Sequence, residues 1–194
     1  MTEMWRLFIA LELPPHVLEE LTSIQTNLKR QIPPQTVRWV DPKGIHLTLK
    51  FLGDAPVSQR ETLQNKLSEA AQQVAPFDLT AGGLGCFPNL KRPRVVWVGI
   101  HGSETLLNAL QQAVEDHIAP LGYPTEDRAF NPHLTLGRVR QDADRNNIAK
   151  LGDLISRALA GQPQSWTVQH VSLIRSELKP SGAVYTVLFH APLK

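Results

Sequence analysis

Apolar residues recur along this chain in two periods, one near 3.6 and one of 2, and the changes between them mark out the elements. After Pro14-Pro15, residues Val17, Leu18, Leu21, Ile24 and Leu28 share one helical face, and Pro33-Pro34 closes the segment. A second helix is predicted from Ser58, with Glu61 at capping-box spacing and a stripe of Leu63, Leu67, Ala70 and Val74. A third follows Ser103 with Leu106, Leu107, Leu110, Val114 and Ile118. A fourth follows Asp144 with Ile148, Leu151, Ile155 and Leu159 before Gly161. Between the helices, runs rich in β-branched and aromatic residues read as strands at 5–13, 37–40, 46–52, 77–84, 95–100, 133–139, 166–174 and 183–190. The spacer between the second and third runs is too short for a crossover helix, so antiparallel pairing of those two strands and an α+β architecture are expected.

Composition narrows the class without naming a function. At 194 residues, 42% apolar and 20% charged, the chain suits one globular domain over 1–194 with a sizeable core, in one unit or two lobes. No linker or low-complexity tract divides it, and no run is long enough for a membrane span. The opening residues carry neither a basic region nor a small-residue cleavage site. The single cysteine, Cys86, has no partner for a disulfide or a Cys-based zinc site, so a cytoplasmic location is expected. A net charge of +2 is too small for avid binding along a nucleic acid, so any RNA contact is expected at an end.

One tetrapeptide changes the picture: His-Leu-Thr-Leu occurs at His46-Leu47-Thr48-Leu49 and again at His133-Leu134-Thr135-Leu136. Two chance occurrences of His-x-Thr with apolar residues at both flanking positions have a probability on the order of 0.3%, so the repeat calls for an explanation. Within a strand, residues two apart share a face. His46 and Thr48 would then project together over a core formed by Leu47 and Leu49, as would His133 and Thr135 over Leu134 and Leu136.

Two facing imidazoles suit attack at phosphorus, one taking a proton from water while the other gives a proton to the departing oxygen. Threonine hydroxyls can donate to the phosphoryl oxygens as charge grows. No metal or cofactor is needed for this scheme. Two other readings stand beside it: a module that binds a nucleotide or an RNA end without chemistry, and a metallohydrolase with His46 and His133 as ligands. The second has only two imidazoles and neither an HExxH nor an Asp-rich element to complete it.

These motifs have companions: Arg6-Leu7-Phe8-Ile9-Ala10, Lys50-Phe51-Leu52-Gly53, Arg94-Val95-Val96-Trp97-Val98-Gly99, Phe130-Asn131-Pro132 with Gly137-Arg138, and Ser176-Glu177-Leu178 followed by Tyr185. Together they resemble the 2H phosphoesterase superfamily, and within it the RNA 2′,3′-cyclic phosphodiesterases, also called bacterial 2′-5′ RNA ligases. The resemblance implies a bilobal α+β fold of pseudo-twofold symmetry, with antiparallel sheets lining a central cleft and helices packed outside. It implies opening of a terminal RNA 2′,3′-cyclic phosphate to a 2′-phosphate, and reversible ATP-independent 2′-5′ joining of tRNA halves in some members; a monomer is expected. It assigns His46 as proton donor and His133 as general base, with Thr48 and Thr135 beside them and Phe8 and Arg138 holding the terminal base. Strict alternation would turn Arg138 away from His133, so this last assignment requires a bulge or strand end at Gly137.

The remaining histidines, His16, His101, His117, His170 and His190, show no partner spacing. Trp39, Trp97 and Trp166 read as packing and Cys86 as a small buried hydrophobe. Lys43, Lys50, Lys91, Arg92, Arg94 and Arg128 lie near the motif strands or adjoining loops, within possible reach of an RNA backbone.

Overall fold

The computed structural model describes residues 3–126, 128–158, 161–180 and 182–194. Its strands are β1 (Met4–Leu11), β2 (Val37–Trp39), β3 (Leu47–Pro56), β4 (Phe77–Phe87), β5 (Val95–Gly102), β6 (His133–Val139), β7 (Gln164–Val168), β8 (His170–Lys179) and β9 (Gly182–Pro192). Its helices are α1 (Pro15–Gln31), α2 (Arg60–Ala71), α3 (Glu104–Ile118) and α4 (Arg145–Arg157).

All pairings are antiparallel, in two sheets ordered β3-β1-β8-β9 and β2-β6-β5-β4-β7. The helices cross between the sheets. α1 follows a strand of the first sheet yet packs against the second, where buried Gln25 donates to the carbonyls of Val40 and Leu136, both at 2.8 Å. α3 follows β5 of the second sheet yet packs with α2 against the first. The apolar faces of both sheets and all four helices merge into one cluster running from Leu7 and Leu47 through Leu107 to Leu134 and Leu173. This interleaving makes each half of the sequence depend on the other for burial.

The four helices lie where their apolar stripes place them, but two expected caps are not formed. Ser58 lies in a short 3₁₀ turn before α2, and Ser103 precedes α3 without a side-chain capping bond. Asp144 does cap α4, accepting from the backbone N–H groups of Asn146 and Asn147. Leu159, expected to end that helix's stripe, lies outside the described residues.

Two strand expectations need correction. β2 and β3 do not pair; they belong to different sheets, β2 against β6 and β3 against β1. The short spacer forms a 3₁₀ turn at Pro42–Gly44, which carries the chain across to the other sheet. The single run at 166–174 is two strands that change sheets at Gln169, so β7 pairs with β4 and β8 with β1 and β9. Periodicity registers extended backbone and cannot tell which neighbour it pairs with.

Candidate active site

The two tetrapeptides take equivalent positions, one in each sheet. Leu47, Leu49, Leu134 and Leu136 are buried in the core, while His46, Thr48, His133 and Thr135 line one cleft of about 410 Å³. Each strand carries a bulge directly after its threonine. In β3, Thr48 opposes Ala10 and Lys50 opposes Ile9, leaving Leu49 as the extra residue. In β6, Thr135 opposes Trp97 and Gly137 opposes Val96, leaving Leu136 as the extra residue. A bulge reverses the alternation beyond it, so in both strands the next residue to line the cleft is the fifth after the histidine: Phe51 in β3 and Arg138 in β6. Gly137 is required here because β2 approaches closely; a Cβ would stand 2.7 Å from Val37 Cγ1 and 3.1 Å from the Arg38 carbonyl oxygen.

The imidazoles are held alike. His46 Nδ1 lies 2.8 Å from the Gly44 carbonyl oxygen, and His133 Nδ1 lies 2.7 Å from that of Asn131. A carbonyl can only accept, so each Nδ1 carries a proton and Nε2 is the atom left for chemistry. The rings are buttressed by aromatic side chains. Phe8 stacks on His46 with centroids 4.5 Å apart and planes 28° apart, Tyr185 meets His46 edge-on at 5.1 Å, and Phe87 meets His133 edge-on at 5.0 Å. Burial pushes the His46 pKa below the ordinary 6.5, opposed by the Gly44 hydrogen bond and by the Glu12 carboxylate. Glu12 lies one step beyond the Leu11–Leu47 pair, alongside His46.

Residues 13–180 match the 2′-5′ RNA ligase superfamily. A Methanothermobacter thermautotrophicus protein named RNA 2′,3′-cyclic phosphodiesterase is 35% identical over 181 residues, spanning 93% of this chain and 95% of its own. The chain belongs to the 2′-5′ RNA ligase superfamily. An Archaeoglobus fulgidus protein of the same name is 32% identical over 93% of this chain and 96% of its own. Among solved structures, a Thermus thermophilus protein superposes with a TM-score of 0.76 at 32% identity, over 97% of both chains. Escherichia coli LigT complexed with 3′-AMP gives 0.79 at 26% identity, over 99% of both chains. The 2H-type fold expected from the resemblance is therefore that of the superfamily to which the chain belongs.

Within this superfamily fold the expected site residues are not equally placed. Arg138 is exposed in the cleft, and the bulge that its placement required is present, with Leu136 as the extra residue. Phe8 also lines the cleft, but only 2% of its surface is exposed and one face is taken by the His46 ring, so its main contact is with the imidazole. The accessible aromatic surface belongs to Phe51, 59% exposed, and Tyr185, 36% exposed. Arg6 and Ser176, paired across β1 and β8, add a cation and a hydroxyl to the cleft.

Sequence reasoning did not single out Arg6, Phe51 or Ser176 as site residues. Arg6 is legible by alternation from Phe8, whereas Phe51 needs the bulge in β3. Lys50 is a correction: it is not available to RNA, because it points behind the sheet, fully buried, to an ion pair with Glu115 and the Pro124 carbonyl oxygen at 2.8 Å. Lys43, Lys91, Arg92, Arg94 and Arg128 are exposed and lie outside the cleft lining. Cys86 is buried, and burial pushes its thiol pKa up.

Proposed function

We propose that this chain hydrolyses the 2′,3′-cyclic phosphate at an RNA end to a 2′-phosphate. The observation that carries the reading is the pair of imidazoles, one from each sheet, with Nδ1 tied to a carbonyl and Nε2 left for chemistry. The relatives named for this activity support it across nearly the full length of the chain.

In the proposed reaction His133 Nε2 takes a proton from water as the water oxygen bonds to phosphorus. The bond from phosphorus to the 3′ oxygen breaks, and His46 Nε2 supplies the proton that leaves a 3′ hydroxyl. The hydroxyls of Thr48 and Thr135 donate to the non-bridging oxygens, where negative charge grows. In the free protein burial outweighs the Gly44 hydrogen bond and the Glu12 carboxylate and lowers the His46 pKa, so the acid role rests on the bound phosphodiester anion, which favours the protonated ring. Arg138, which lines the same cleft as Phe8, Phe51 and Tyr185, would hold the terminal base against the accessible rings of Phe51 and Tyr185. If a ribose 5′ hydroxyl replaces water, the same steps join two RNA ends, such as tRNA halves, by a 2′-5′ bond without ATP. One chain supplies every group, so the reaction suits a monomer, and an RNA end as substrate suits a cytoplasmic location.

The test is to incubate the protein with a short RNA ending in a 2′,3′-cyclic phosphate and identify the product by phosphorus NMR. A 2′-phosphate is expected. A 3′-phosphate would reverse the orientation of the ring, and unchanged substrate under all conditions would overturn the reading.

A further inference from the structure

Outside the cleft lining, next to the first histidine motif, three metal-ligating side chains converge that the reaction above does not use together. Glu12 follows β1, His170 opens β8 and His190 lies near the end of β9, and one ligand atom from each lies within 4.8 Å of the others. Glu12 Oε2 is 3.2 Å from His190 Nδ1 and 3.7 Å from His170 Nε2, and the two imidazoles meet edge to face at 4.7 Å. Ser172, fully buried between them, donates its hydroxyl to Glu12 Oε2 at 2.6 Å and lies 3.0 Å from His190 Nδ1.

The register explains the convergence. His190 pairs with Ser172 and His170 with Pro192, so both imidazoles and the hydroxyl come from neighbouring rungs of one ladder. Ser172 in turn pairs with Ala10, which brings Glu12, two residues further on, to the same end of the sheet. The cluster borders a recess that also takes Trp166 and Thr167 from β7 of the other sheet. Trp166 is buried, and among the described residues its indole N–H has no protein partner.

Two imidazoles and one carboxylate form a donor set used by zinc when three protein ligands are joined by water. Donors about 2.0–2.1 Å from a tetrahedral ion stand about 3.3 Å from one another, close to the two carboxylate–imidazole distances here. The third separation is wider, within 4.8 Å, and binding would require the exposed His190 side chain to turn toward His170. Magnesium and calcium prefer all-oxygen shells and do not suit the set.

We propose that Glu12, His170 and His190 bind one divalent transition ion of the zinc type, with water as the fourth ligand. Ser172 is a positioning residue that orients the Glu12 carboxylate toward the ion. The ion ties the ends of β1, β8 and β9 together beside β7 and stabilises the folded chain, since the unfolded chain has no such preformed site. It touches neither the water nor the phosphate in the steps assigned to His46 and His133.

The test uses tag-free, full-length protein stripped with EDTA and titrated with Zn²⁺ by calorimetry, with Co²⁺ as a spectroscopic probe. One equivalent should bind, Co²⁺ should show tetrahedral visible absorption, and Zn²⁺ but not Mg²⁺ should raise the thermal midpoint. His170→Ala and His190→Ala, at side chains 41% and 54% exposed, should fold normally and bind Zn²⁺ on the order of 10²-fold more weakly or not at all. Ser172→Ala should weaken binding roughly 10- to 100-fold. His46→Ala and His133→Ala should bind as the wild type does, and the stripped protein should keep its turnover. Absence of stoichiometric Zn²⁺ binding, its survival in the His170→Ala/His190→Ala double variant, or its loss in His46→Ala would overturn the assignment.

Discussion

Replacing Lys50 by methionine tests how the first motif strand is held in the fold. Lys50 is 1% exposed, and its ammonium group is shared between Glu115 on α3 and the Pro124 carbonyl oxygen. Methionine fills the volume of the lysine stem, so the change removes the charge with little loss of packing. Glu115 would remain buried with Gln111 Nε2, 3.1 Å from Oε1, as its other side-chain donor. An unpaired buried charge costs about 3–5 kcal/mol, whereas replacing both partners by apolar groups is often neutral or stabilising. At about 2–4 °C per kcal/mol for a chain of this size, Lys50→Met should lower the thermal midpoint by roughly 6–20 °C. The Lys50→Met/Glu115→Leu double variant should recover to within about 1 kcal/mol of the wild type. Urea unfolding of the four proteins in the cycle measures the coupling directly. Because Lys50 points away from the cleft, turnover of the double variant at a temperature where it is folded should match the wild type. A loss below about 1 kcal/mol in Lys50→Met, or a double variant as unstable as the sum of the singles, would refute the reasoning.

His46→Ala and His133→Ala should each lower turnover on cyclic-phosphate RNA by roughly 10²- to 10⁴-fold with the fold intact by circular dichroism, and Thr48→Ala and Thr135→Ala by on the order of 10- to 10³-fold. Near-wild-type rates would remove the residue concerned from the mechanism. A nitrophenyl phosphodiester, with its phenolate in place of the 3′ oxygen, should restore much of the deficit in His46→Ala and little of that in His133→Ala; the opposite pattern would exchange the acid and base. Gly137→Ala should destabilise the chain by about 1–3 kcal/mol in urea, since the new methyl meets Val37 and the Arg38 backbone; an unchanged midpoint would show that β2 yields freely. Because burial holds the His46 pKa below 6.5, the unfolded chain binds more protons there as pH falls. Stability should therefore be free of this penalty above 6.5 and lose ground as pH drops through the folded value, and His46→Gln should flatten the slope between pH 7 and 5. Equal slopes in the two proteins would assign the acid sensitivity to other groups.

Local chemistry is what a sequence carries most directly. The four helices follow from their apolar stripes, with α1 closed by proline and α4 capped by Asp144, and the two tetrapeptides announce a paired site because alternation in a strand is a local property. Once the resemblance assigns Arg138 to the site, the need for a break in alternation at Gly137 follows, since Arg138 could not otherwise share a face with His133.

Other features depend on which backbone meets which. The separation of β2 from β3, the division of the run at 166–174 between two sheets, and the bulge that brings Phe51 into the cleft arise from hydrogen-bond pairing among distant segments. Lys50 reads as near RNA because the residues around it belong to the motif, yet the bulge at Leu49 turns it to the far side, where it meets Glu115, 65 residues away in the chain. Glu12, His170 and His190 have no recognisable spacing, because their convergence depends on register across three strands. Side-chain period is determined within a few residues by the sequence itself; strand partners, bulges, the caps at Ser58 and Ser103 that do not form and the company of a buried charge are decided only when the tertiary structure closes.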